Sequence, residues 1–221
     1  MTSLTAFVAE GHALMQALHD VAAADFTRAT NCPPWTLSEL VVHLAGSIRV
    51  GDGFSDAKAG TDPRTTADYY RRPERDTTAY RTDNVRQTQD AAAHVLATRT
   101  ATEYLAATFD ASRRTLTESD RRRIVVIDDV GAMRLEDWLI TRVIALAAHG
   151  LDVALTLGRR PWTTSEALQL MRPVFVSLLE ADPPPSWDDQ HLLAVATGRA
   201  TLTPTDRAVL GPHARRFPLL S

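Results

Sequence analysis

The chemistry-bearing residues of this chain fall on a helical line near its middle. Counting by turns from Trp138 places Arg142, Ala145, His149 and Asp152 on one face of a segment otherwise wrapped in Leu, Ile, Val and Ala. Such a helix belongs at the centre of a bundle, so its polar groups must face the interior or a cavity, where each needs a partner or water. A carboxylate three residues from an imidazole can hold the ring's tautomer and raise its basicity, which fits His149 as a general base oriented by Asp152. Arg142 and Trp138 on the same face are candidate substrate-binding groups, the planar guanidinium being suited to a carboxylate. A second imidazole, His43, lies at the edge of the apolar stripe of another helix, and facing helices of a bundle can bring two such histidines to one cavity.

The elements that must position these groups are helical throughout. Residues 4–24 carry Leu4, Phe7, Val8, Leu14, Met15 and Leu18 at helical spacing. Thr36 with Glu39, a capping box, opens a second helix over 37–50. Residues 51–80 are polar and aperiodic, a long loop with a short helical turn, of the length that covers a site. A third helix is expected over 83–116, then a short β-branched run Ile124–Ile127, either strand or extended linker, and a fourth helix over 135–158. Thr163 with Glu166 reads as another capping box, opening a fifth helix that Pro173 should kink or break. A proline-stiffened stretch, 182–186, leads to helices near 188–197 and after Pro204. The fold class is all-α: a four-helix bundle over 1–160 with a helical C-terminal extension over 161–221.

Composition narrows the function. With 44% hydrophobic and 23% charged residues the chain is that of a globular protein. A net charge of −3 gives no footprint for nucleic acid. The first twenty residues hold no unbroken apolar stretch, so neither signal peptide nor membrane span is expected, and the reading is cytoplasmic. Cys32 is the only cysteine and sits in a loop as a structural or incidental thiol. Common nucleotide-binding, zincin, dithiol and nucleophile-elbow motifs are missing from the sequence.

Three stretches resemble a known family. Asn31-Cys-Pro-Pro-Trp-Thr-Leu-Ser-Glu-Leu-Val-Val-His-Leu-Ala-Gly46 and residues 131–154 are similar to the second and fourth helices of the mycothiol-dependent maleylpyruvate isomerase branch of the DinB-like superfamily. The closing Ala-Thr-Gly-Arg199 and Arg-Phe-Pro-Leu-Leu-Ser221 resemble the C-terminal ends of its actinobacterial members. The resemblance implies a bundle cavity holding a divalent metal, usually zinc, on two histidines and a carboxylate, with a low-molecular-weight thiol or water completing the shell and mycothiol as cosubstrate. His43 and His149 match the two histidines. Ala145 stands where the family has glutamate, one turn before His149, so the expectation is a degenerate site with no tightly held metal.

Two classes of function follow. One is a small-molecule enzyme of actinobacterial metabolism, isomerase-, lyase- or transferase-like. Its cavity performs acid–base isomerisation, elimination or ring closure with His149, His43, Asp152 and Arg142, or mycothiol transfer with a weakened metal. The other is a binding protein that kept the fold without the chemistry. A small-molecule partner is expected, with a protein partner or homodimer left open.

Overall fold

The computed structural model describes residues 2–50 and 54–220. Its helices include α1 (Ser3–His19), α2 (Leu37–Ile48), α3 (Thr66–Tyr70), α4 (Thr78–Leu96) and α5 (Ala101–Glu118). A hairpin, β1 (Ile124–Ile127) and β2 (Gly131–Arg134), then leads into α6 (Leu135–Thr156), α7 (Ser165–Leu179), α8 (Asp189–Ala196) and α9 (Pro204–Leu210). The fold is predominantly α, and α1, α2, α5 and α6 pack together as the bundle.

Local rules account for the elements that carry the site. The Thr36 side chain accepts from the Glu39 amide while the Glu39 carboxylate accepts from Thr36, closing the N-terminus of α2. From that start Leu37, Leu40, Val41, Leu44, Ala45 and Ile48 are buried at i, i+3 and i+4 spacing. Helix α6 is long and apolar enough to cross a membrane, yet 72% of its apolar window is buried inside the protein, as the core helix of a bundle should be. Where α1 meets α5, a side chain at Gly11 would place its Cβ 2.1 Å from the Phe109 ring. Only glycine permits that approach, which seals Phe109 against Phe7. Burying one such phenylalanine contributes about 1.5–3 kcal/mol.

Several expectations need correction. The helix expected over 83–116 is two helices, because Thr100 and Glu103 form a capping box that starts α5 afresh. Helix α5 takes the bundle position, while α4 buries only Thr88, Ala92 and Val95 and lies over α2. The first helix ends at His19 and gives way to a 3-10 turn over Ala23–Thr27. Much of the stretch expected as loop is helical: its last residues begin α4, and before them come α3 and a 3-10 turn over Pro73–Asp76. Residues 51–53 lie outside the described residues. Ile124–Ile127 is a strand, paired antiparallel with Gly131–Arg134 in a register that sets Ile124 opposite Arg134.

The cap of α7 is Thr164, one residue later than expected. Glu10 of α1, not Glu166, accepts from the Thr164 amide and hydroxyl. Helix α7 also continues through Pro173. One lost backbone bond is outweighed there by the burial of Met171, Val174, Phe175, Leu178 and Leu179 on both sides of the ring. This extension packs on α1 and α6 through α7 and α8, and the chain end returns to pair Leu219 and Leu220 with the Ala196 carbonyl.

Candidate active site

A cavity of about 560 Å³ opens between α2, α4 and α6 and is closed on one side by α3 and the residues after α8. Its wall includes His43, Arg142, Ala145, His149 and Arg199, and among the described residues no Asp or Glu lines it. Its field is therefore set by guanidinium groups. Such a field favours anions.

His43 and His149 meet edge to face with ring centroids 5.2 Å apart, α2 and α6 delivering one each. Trp35, just ahead of α2, packs on the other side of His43 at 4.5 Å, and Thr88 of α4 lies 3.1 Å from its Nδ1. Burial, with the His149 ring and the Arg142 guanidinium beside it, pulls the His43 pKa down to about 3. His43 is neutral at physiological pH.

His149 is held from behind. Its Nδ1 lies 2.8 Å from Oδ2 of Asp152, which fixes the proton on Nδ1 and leaves the lone pair on Nε2. Asp152 is wholly buried and does not line the cavity, so it can reach the cavity's contents only through its partners His149 and Arg199. Its carboxylate is itself clamped: Arg199 donates from Nε to Oδ1 at 2.9 Å and from Nη2 to Oδ2 at 2.6 Å, and Asn31 donates to Oδ1 at 2.8 Å. Burial would raise the Asp152 pKa, but the hydrogen bonds and charges of His149 and Arg199 outweigh it and hold the carboxyl well below the usual range. The result is a guanidinium–carboxylate–imidazole chain ending on the cavity.

Arg142 lines the cavity two turns earlier on α6. Its Nε donates to Thr141, Nη1 to the Ser47 carbonyl at 2.9 Å and Nη2 to the Tyr69 hydroxyl at 2.7 Å. Among the described residues no carboxylate pairs with it. Trp138, expected as a substrate contact, does lie beside Arg142, whose guanidinium sits 5.3 Å from its ring centroid, but it is buried against Phe54, with ring centroids 4.9 Å apart, and lies outside the cavity. Its first-turn position on α6 places it under the 54–56 segment instead.

A divalent metal can be tested against these donors. Cys32, His149 and Asp152 bring ligand atoms within 4.8 Å of one another. The Asp152 oxygens, however, already accept from Asn31, Cys32, His149 and both nitrogens of Arg199, which exhausts the lone pairs of a carboxylate. The Cys32 thiol, pushed up to about 12 by burial and by the neighbouring Asp152 charge, stays protonated and donates to that carboxylate. On the cavity side, His43 and His149 have only Ala145 where a charged third ligand would stand, and Arg142 and Arg199 flank them. Two imidazoles between two guanidinium groups do not fit a tightly held divalent metal.

A family model described as the mycothiol maleylpyruvate isomerase N-terminal domain matches residues 7–154, more than half of the chain. The chain belongs to that family. Two solved structures are similar to this member: the mycothiol-dependent maleylpyruvate isomerase, 15% identical with a TM-score of 0.47, and a histidine-to-alanine mutant of that enzyme, 13% identical with a TM-score of 0.46. Each comparison covers 79% of this chain and 68% of the other. No curated protein matches. The family's matched segment ends before Arg199, the residue that clamps Asp152. Arg199 carried one sequence signal, its place after Gly198 in the Ala-Thr-Gly-Arg199 stretch, and Gly198 takes the left-handed backbone (φ +75°) that this turn needs. Asn31, Thr88 and Tyr69 gave no signal of their own, because their roles depend on partners far away in the chain.

Proposed function

We propose that this protein is a small-molecule enzyme of isomerase- or transferase-like type that performs acid–base chemistry on an anionic substrate in the bundle cavity. The observation that carries the reading is the Arg199–Asp152–His149 chain, which ends on a cavity walled by arginines and, among the described residues, free of carboxylates. Nε2 of His149 takes the proton, from a carbon acid of the substrate or from the thiol of a mycothiol-like cosubstrate, the latter being what family membership suggests. Asp152 stabilises the imidazolium that forms, and Arg199 keeps Asp152 ionised and in place. Arg142 binds an anionic group of the substrate. His43, neutral and stacked on Trp35, offers a hydrogen bond without charge. No step is assigned to a metal, since the donors do not fit one. In this reading residues 1–160 form the reacting bundle and 161–221 an extension that contributes Arg199, with Thr197 and Leu220 on the cavity wall.

Maleylpyruvate with mycothiol is the first pair to assay. His149→Ala should lower kcat on the order of a hundredfold or more while helicity by circular dichroism stays native. A natively folded His149→Ala protein with undiminished turnover would overturn the assignment. Tight binding of maleylpyruvate without turnover would favour the binding-protein alternative.

A further inference from the structure

Two adjacent tyrosines of α3 are treated very differently by the fold. The Tyr70 hydroxyl donates to the backbone carbonyl of Thr141 at 3.2 Å and is spent on structure. The Tyr69 hydroxyl accepts from Arg142 Nη2 at 2.7 Å, and its own proton has no acceptor among the described residues. Tyr69 lines the cavity. Three guanidinium groups surround its ring, those of Arg72 at 4.7 Å, Arg75 at 5.2 Å and Arg142 at 5.3 Å from the centroid. Its backbone is pinned as well: the Thr65–Asp68 capping box starts α3, Thr66 is tied to Asp137 of α6, and Arg72 Nε donates to the Tyr69 carbonyl.

We infer that Tyr69 is a second proton-transfer group of the cavity, handing its phenolic proton to the substrate at the end opposite His149, with Arg142 stabilising the phenolate left behind. The inference rests on the acid–base reading given above and adds its missing acid. Arg142 and His149 are seven residues apart on α6, which separates them by about 10 Å along the helix. Gly46, Ala145 and Ala148 leave the wall between them free of bulk.

The proton balance closes. His149 Nε2 accepts a proton from one substrate atom, and the Tyr69 O–H bond breaks to deliver a proton to another. The O–H electron pair stays on the phenolate beside Arg142, and water exchange returns the proton from His149 to Tyr69 between turnovers. Nothing is oxidised or reduced.

The electrostatics agree. Burial alone would raise the Tyr69 pKa, but the charges of Arg142, Arg75 and Arg72 and the hydrogen bond from Arg142 bring it down to about 8. The other titratable neighbours do not reverse this. Tyr70 is itself pushed up, Tyr80 of α4 accepts from Arg75, Glu74 lies 4.0 Å from Arg72, and Asp137 is occupied by Thr66.

Phenolate absorbance during alkaline titration of the purified protein tests this without a substrate. The chain has four tyrosines, so one ionising early contributes about a quarter of the total phenolate signal. That step should centre near about 8, vanish in Tyr69→Phe, persist in Tyr104→Phe, and move toward the ordinary phenol value of ~10 in Arg142→Gln. With maleylpyruvate and mycothiol, Tyr69→Phe should lose at least tenfold in kcat and lose the alkaline limb of the pH profile. An early step that survives Tyr69→Phe, its absence from the unmodified protein, or unchanged turnover by folded Tyr69→Phe would overturn the inference. If the unmodified protein turns over no maleylpyruvate, the reaction reading fails, while the titration still decides whether Tyr69 is poised to ionise.

Discussion

Asp152 of α6 and Glu10 of α1 are both buried carboxylates, and the protein treats them in opposite ways. Asp152 meets a guanidinium and an imidazole and is held ionised. Glu10, 1% exposed, meets no cation: its Oε2 accepts from the Thr164 amide and hydroxyl, and its Oε1 is buried without a hydrogen-bond partner among the described residues. Burial dominates there and raises its pKa. Equal burial therefore yields a permanent charge at one site and a reluctant one at the other. The deciding factor is whether an imidazole and a guanidinium reach the carboxylate. The charged site ends on the cavity, and the reluctant one joins α1 to the cap of α7.

The sharpest way to break the contrast is to remove the charge from Asp152. Asp152→Asn leaves Arg199 and His149 without their anion, and the expected loss of stability is about 3 kcal/mol, read from denaturant midpoints. The pH dependence should change with it. Because the folded-state pKa lies below the unfolded value, Asp152 contributes stability above that value, near 3.8, and the contribution disappears as pH falls toward the folded pKa. The variant should lack that part of the acid-side decline. Unchanged stability with unchanged acid sensitivity would show that the Arg199 clamp is not coupled to the fold.

A third carboxylate position sharpens the comparison from the other side. Ala145 lies on the cavity wall between Arg142 and His149. Ala145→Glu would supply the missing charged ligand beside His43 and His149, and zinc affinity should rise by roughly tenfold or more. The unmodified protein should retain clearly less than one equivalent of zinc after mild chelation. Stoichiometric, chelation-resistant zinc in it would return the metal to the reaction.

How far the sequence carried this picture depends on whether partners were near or far along the chain. Helices α2 and α6 were legible because helical spacing and one capping box are local signals, and the same spacing put Arg142, His149 and Asp152 on one face. The break at residues 97–100 was not, because alanine-rich segments on either side favour helix and only the Thr100–Glu103 pair marks the restart. Arg199 reaches Asp152 across 47 residues and Tyr69 reaches Arg142 across 73. Neither pairing leaves a trace in periodicity. Trp138 shows the limit of a local signal: the shared helix face does place it beside Arg142, but the hairpin and the 54–56 segment cover that end of α6 and keep the ring out of the cavity.

The smallest effect belongs to Glu10. Glutamine keeps an oxygen for the two Thr164 donors and sets an amide where Oε1 already lacks a partner, so Glu10→Gln should stay within about 1 kcal/mol of the unmodified protein near neutral pH. The informative quantity is the slope. A carboxyl whose folded pKa lies above its unfolded value of 4.5 supports the fold while protonated, and that support is lost as pH rises through the folded pKa. The unmodified protein should therefore lose stability on this account as pH rises from about 4.5 through the folded pKa, whereas Glu10→Gln should not, and the two curves should converge on the acid side. Parallel curves across that window would mean that Glu10 titrates as an ordinary carboxylate, and that burial without a cation is not what separates it from Asp152.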